Sequence, residues 1–140
     1  MVSRTTISHR HAAGQPLSDA LRPALAAADG FVREQALGTV LGHRLAIVVE
    51  ELVANLVDHA AQGRDLTFSL ALDRRGDTVG LILDDDSHAF DPRCAAPIEM
   101  PNADRGGGGG LALVKAWCAI VGYDSDARGN RLVLRFHPIE

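Results

Sequence analysis

The chain has 140 residues, 46% hydrophobic and 23% charged, with 14 Lys+Arg against 18 Asp+Glu for a formal net charge of −4. These values describe one ordinary globular domain and exclude wholesale disorder. The acidic balance disfavours a protein that grips nucleic acid through its phosphates.

Cys94 and Cys118 form no CxxC and no ligand cluster, so a disulfide framework or a cysteine-based zinc site is not expected. Residues 1–6 lack the apolar core of a signal peptide. The longest apolar stretch, residues 45–57, is interrupted by Glu50, Glu51 and Asn55, which rules it out as a membrane span. The expectation is a reduced, soluble, cytoplasmic domain over residues 1–140, touching neither nucleic acid nor membrane.

Residues 2–9 are rich in β-formers but weakly patterned. Residues 21–28 are an Ala/Leu helix that Gly30 is expected to stop. The strongest helix spans about residues 43–61. There Leu45, Val48, Val49, Leu52, Val53, Leu56, Val57 and Ala60 recur at i, i+3, i+4 and build one apolar stripe. Residues 66–72 alternate as a strand. Residues 73–77 form a turn, and Val79, Leu81 and Leu83 make a second strand, together a hairpin with a loop of about five residues.

Between Pro92 and Gly110 the chain reads PRCAAPIEMPNADRGGGGG. Prolines and a glycine run of this kind do not sit inside a regular element. A loop that long in a compact domain is a lid or a linker, and the short remainder is too small to fold alone. The stretch at about 92–110 is therefore a lid. Residues 111–121 then read as a helix with Leu113, Val114, Trp117, Cys118 and Val121 on one face. Gly122, Gly129 and Asn130 punctuate a turn, and Leu132, Leu134 and Phe136 close the chain as a strand. The irregular order predicts an α+β two-layer sandwich, with a mixed, mostly antiparallel sheet on helices, over a doubly wound fold.

Three constellations carry chemistry. Glu51, Asn55 and His59 are spaced i, i+4, i+8, each about 40° around the helix from the last. A glutamate there can act as a base, and an amide oxygen can ligate a hard cation; equally, the three can be solvated polar positions of an ordinary helix. In Asp84-Asp85-Asp86, parity with Val79, Leu81 and Leu83 turns Asp85 inward. A carboxylate held there needs a donor such as the exocyclic amine of a base; an acidic turn in water is the plain alternative. Asp84 and Asp86 flank it with further negative charge. Third, residues 106–110 are all glycine and open into an amphipathic helix. Such a run presents N–H groups to phosphate, and Arg105 adds charge beside it. Neither a P-loop nor a Rossmann fingerprint is matched, and a flexible linker accounts for the run alone equally well.

Taken in order, these pieces resemble the GHKL (histidine-kinase-like) ATPase superfamily, and within it the anti-sigma-factor serine/threonine protein kinases. The first motif corresponds to Glu51-Leu52-Val53-Ala54-Asn55-Leu56-Val57-Asp58-His59-Ala60. The second runs from Asp85 through Phe90-Asp91-Pro92, the third from Gly107 to Val114, and the tail is Gly129-Asn130-Arg131-Leu132.

The resemblance covers about residues 21–136. It implies that Asn55 coordinates Mg²⁺ on the phosphates of ATP and that Glu51 is the general base toward a serine or threonine hydroxyl. It also implies that Asp85, with Ser87 and Phe90 after it, binds adenine, and that Gly108, Gly110 and Leu111, beside Arg105, close over the phosphates. Asp58 and His59 would support the first motif. Ser87 stands where that family usually has glycine, so its side chain either narrows the pocket or adds a hydroxyl contact.

The implied activity is phosphorylation of a small STAS-type anti-sigma antagonist, with sequestration of a sigma factor and, in keeping with the family, a homodimer. The alternative is a non-catalytic module, ATP-binding or nucleotide-free, that sequesters a partner. A histidine-kinase catalytic half is disfavoured, since the chain leaves no room for a phosphoacceptor helix pair. His9 and His11 invite a metal reading, with a surface pair on a strand as the simpler one.

Overall fold

A computed structural model describes residues 2–89 and 109–139. The elements in chain order are β1 (Val2–His11), α1 (Leu17–Glu34), α2 (Thr39–Asn55), a π-helical turn (Leu56–Ala60), β2 (Leu66–Arg75), β3 (Thr78–Asp85), α3 (Gly109–Trp117), β4 (Cys118–Asp126) and β5 (Gly129–Phe136). The strands form one sheet in the order β1-β2-β3-β5-β4. All four pairings are antiparallel, so the mixed component expected of the sheet is not found among the described residues. The α+β sandwich itself is as expected. None of the described helices is long and apolar enough to cross a membrane.

The period-2 pattern decides which face of the sheet is covered. Leu66, Phe68, Leu70 and Leu72 of β2, Val79, Leu81 and Leu83 of β3, and Leu132, Leu134 and Phe136 of β5 are all buried on one side. Against them lie Leu45, Val48, Val49, Leu52 and Val53 of α2, backed by Ala20, Ala24, Ala28 and Phe31 of α1. Each fully buried Leu or Phe stabilises the fold by about 1.5–3 kcal/mol. The predicted stripe is buried throughout, except that Val57 is only partly covered.

Four sequence expectations are corrected. Helix α1 begins earlier than residue 21 and runs through Gly30 to Glu34, because burial of Phe31 outweighs one glycine's propensity cost of about 1 kcal/mol. Its end is a Schellman motif: Leu37 N–H bonds the Val32 carbonyl and Ala36 N–H the Arg33 carbonyl, with Ala36 at φ 53° in the place usually held by glycine. The hairpin turn is two residues, Gly76 and Asp77, with Gly76 at φ +61°. Gly109 and Gly110, counted with the lid, start α3; residues 92–108 lie outside the described residues. Finally, α3 stops at Trp117, and residues 118–121 open β4 instead, with Cys118 opposite Phe136. Ile120 gains a strand neighbour there in Leu134, while Val121 falls at a bulge with no partner and is left 52% exposed.

Candidate functional site

The site forms where α2, the inner face of β3 and β5, and the start of α3 meet. Leu52, Asn55 and Leu56 from the helix, Leu83, Asp85 and Leu132 from the sheet, Leu111 from α3 and Tyr123 from β4 line a pocket of about 30 Å³. That is room for about two waters.

Asp85 is the last residue of β3, opposite Phe68 on one side and Asn130 on the other. It points inward as parity predicts. Its Oδ1 accepts bonds from the Ser87 N–H at 2.9 Å, from the Ser87 hydroxyl, and from Asn130 Nδ2 at 2.9 Å. Among the described residues, Oδ2 receives no hydrogen bond, which leaves one acceptor for a ligand donor.

Asn130 is 5% exposed and spends its amide fully. Nδ2 also donates to the Ser87 carbonyl at 2.8 Å, and Oδ1 accepts from the Ser125 hydroxyl at 2.6 Å. The sequence marked Asn130 only as a turn residue in a tail motif. Its place opposite Asp85 follows from the β3–β5 register, which no local pattern contains. Gly129 beside it is equally constrained: at φ +148°, a Cβ there would overlap the backbone carbonyl oxygen of Asp85.

The Ser87 hydroxyl turns back onto Asp85 Oδ1. The flanking charges are also accounted for. Arg131 grips Asp84 through Nε at 2.7 Å and Nη2 at 3.0 Å, and Asp84 holds the Arg131 guanidinium above its usual pKa. Asp86 Oδ1 accepts the Thr67 N–H at 2.8 Å.

Glu51 lies one turn before Asn55 on α2, and its carboxylate rests against Gly110 so closely that a Cβ on that glycine would overlap it. Glycine at 110 is thus what lets α3 approach α2 here. Asp58 and His59 do not join the pocket: both are exposed on the π turn. That turn, closed by the Ala61 N–H on the Leu56 carbonyl, shifts the phase of everything after Asn55. Phe90, Arg105 and Gly108 lie outside the described residues. Nor does the structure bear out a surface pair at His9 and His11, since His11 is 3% exposed.

A carboxylate with one free acceptor, an amide beside it and a glycine at a helix start form a donor and acceptor set suited to a nucleotide. The family of histidine kinase-like ATPase domains matches residues 15–136. The chain belongs to that family. Domains of this kind bind ATP, usually with Mg²⁺. A comparison with curated proteins gives no match.

In this histidine kinase-like ATPase domain the chemistry of the donor set fits ATP and Mg²⁺.

Proposed function

We propose that the protein is an ATP- and Mg²⁺-dependent serine/threonine kinase of the anti-sigma-factor type, acting on a small STAS-like antagonist protein and regulating transcription by partner switching. The observation that supports it most is the convergence of Glu51, Asn55 and Asp85 from two elements on the start of α3. The choice of partner rests on the resemblance of the three ordered motifs.

Each residue has one task under this reading. Asp85 Oδ2 accepts the amine of adenine, while Asn130 and Ser87 keep the carboxylate from rotating. Asn55 offers its amide oxygen to the cation, as a hard ligand for a hard ion. Bound Mg²⁺ supplies charge neutralisation on the phosphates. Gly110 lets the first turn of α3 come close to them, with its N–H groups forward. Glu51 takes the proton of the attacking hydroxyl.

The test is a pair of variants assayed with labelled ATP, Mg²⁺ and a STAS-type acceptor. Glu51→Gln should keep ATP affinity and slow transfer by about 10²–10⁴-fold, the usual contribution of a general base. Asn55→Ala should lose both binding and transfer. Transfer by Glu51→Gln at the parent's rate would remove Glu51 from the role of base.

A second reading, a regulatory module that binds a partner without transferring phosphate, is favoured by the close packing of the Glu51 carboxylate on Gly110. A parent protein that binds its acceptor tightly, yet never labels it, would establish this second reading.

A further inference from the structure

Among the described residues, two buried side-chain nitrogen or oxygen atoms lack a hydrogen-bond partner: His9 Nε2 and His11 Nδ1. They belong to neighbouring rings. His9 and His11 are i, i+2 on β1, so both face the helix layer, and their ring centroids are 6.0 Å apart. A buried polar atom left unpaired is costly, and two such atoms on adjacent rings point to one shared partner.

The tautomer of His11 is set by its surroundings. Its Nε2 lies 3.1 Å from the Gln15 carbonyl oxygen. A carbonyl only accepts, so Nε2 carries the proton and Nδ1 presents a bare lone pair. An imidazole whose far N–H is tied to a backbone carbonyl is the usual arrangement of a metal-bound histidine. The loop that supplies this carbonyl is itself fixed: Ala12 N–H donates to Gln15 Oε1 at 2.7 Å, and Ala13 N–H to Asp65 Oδ1 at 2.8 Å. His9 packs on Phe68 with ring centroids 5.6 Å apart. Burial and His11 hold its pKa below the usual histidine value, partly offset by Asp19 in the first turn of α1.

We propose that His9 Nε2 and His11 Nδ1 bind one borderline divalent cation, Zn²⁺ or a close analogue, at the junction of β1 and α1. With metal–nitrogen bonds of about 2.0–2.1 Å, two imidazole centroids sit about 5–6.4 Å apart across a shared ion, depending on the angle at the metal. The observed 6.0 Å lies toward the wide-angle end of that range, so the two rings draw together by somewhat under about 1 Å to reach tetrahedral geometry. No group of three or more His, Cys, Asp or Glu side chains is gathered for a metal among the described residues. The pair therefore supplies two ligands, and water or a turned Asp19 completes the shell. Imidazole ligands select Zn²⁺, Cu²⁺ or Ni²⁺ over Mg²⁺, which separates this site from the nucleotide pocket.

The experiment titrates Zn²⁺ into the chelator-treated full chain without nucleotide, reading stoichiometry by calorimetry and melting temperature by scanning. One Zn²⁺ per chain and a melting temperature raised by several degrees are expected, both lost in His9→Asn/His11→Asn and both kept in His137→Asn. No binding, or equal binding by the double variant, overturns the proposal, and a bridging water is then what meets the two nitrogens. Should the double variant fail to fold, imidazole ¹⁵N shifts in the parent decide. Movement of both His9 and His11 on adding Zn²⁺ supports the site, and movement of neither, or of other histidines alone, overturns it.

Discussion

Asn130 Nδ2 reaches across the seam between β3 and β5 to hold Asp85 Oδ1 at 2.9 Å. The carboxylate proposed to bind the base is thus oriented by a buried side chain, in a residue that lines the pocket.

The first prediction follows from that bond. Asp85→Asn removes a charged acceptor and should weaken ATP binding by roughly 1.5–3 kcal/mol. Asn130→Ala leaves the acceptor in place but frees it to rotate, and should weaken binding by about 1 kcal/mol. Calorimetric titration with ATP and Mg²⁺ reads both, and equal affinity for Asn130→Ala and the parent would show that Asp85 needs no orientation.

Ser87→Gly tests the smaller partner. The backbone N–H at 87 still reaches Oδ1 in the variant, so ATP affinity should change by less than that of Asn130→Ala. A larger loss would make the hydroxyl, and not the amide of Asn130, the principal restraint.

Gly110→Ala should displace the Glu51 carboxylate, whose position overlaps the added Cβ. Glutamate is flexible enough to move at little cost in stability, so the melting temperature should hold within a few degrees. Phosphoryl transfer should fall by at least about tenfold as the base leaves its position. Unchanged transfer would mean that Glu51 acts from a different rotamer.

Gly129→Ala should be among the most damaging single-methyl additions. The residue sits at φ +148°, and the new Cβ would overlap the Asp85 carbonyl oxygen. Strain of this kind costs about 1–3 kcal/mol before any clash is counted. Denaturant unfolding should show at least that loss, and a variant as stable as the parent would contradict the close approach of β3 and the β4–β5 turn.

Burial pushes the Cys118 thiol up to about 12, so at pH 8 almost none of it is thiolate. In a Cys94→Ser background, iodoacetamide should leave the folded protein unlabelled and modify it after unfolding, as read by mass spectrometry. Rapid labelling of the folded chain would place Cys118 outside the core.

Much of the core was legible because periodicity records burial directly. The stripe from Leu45 to Ala60 and the alternation of Leu66 to Leu72 and Val79 to Leu83 lie where the pattern put them. The inward turn of Asp85 follows from the same parity. What escaped was set by distant pairing. Residues 118–121 have a helical apolar spacing, yet they become strand because β5 pairs with residues 118–120. Gly30 is a good stop signal, overruled by the burial of Phe31 next to it. Asp58 and His59 are exposed on a π turn, for which no residue type gives a warning.

The seam carrying the Asn130–Asp85 bond also separates two units that are local in sequence, the β2–β3 hairpin and the β4–β5 hairpin. Each needs only a short loop to close, whereas joining them, like docking β1 onto β2, closes a long one. Pairings of that kind are slow to form. Nucleotide competence is therefore a late event of folding. In a refolding experiment, capture of a fluorescent ATP analogue should lag behind the recovery of β-sheet circular dichroism, and simultaneous recovery would place the seam in the folding nucleus.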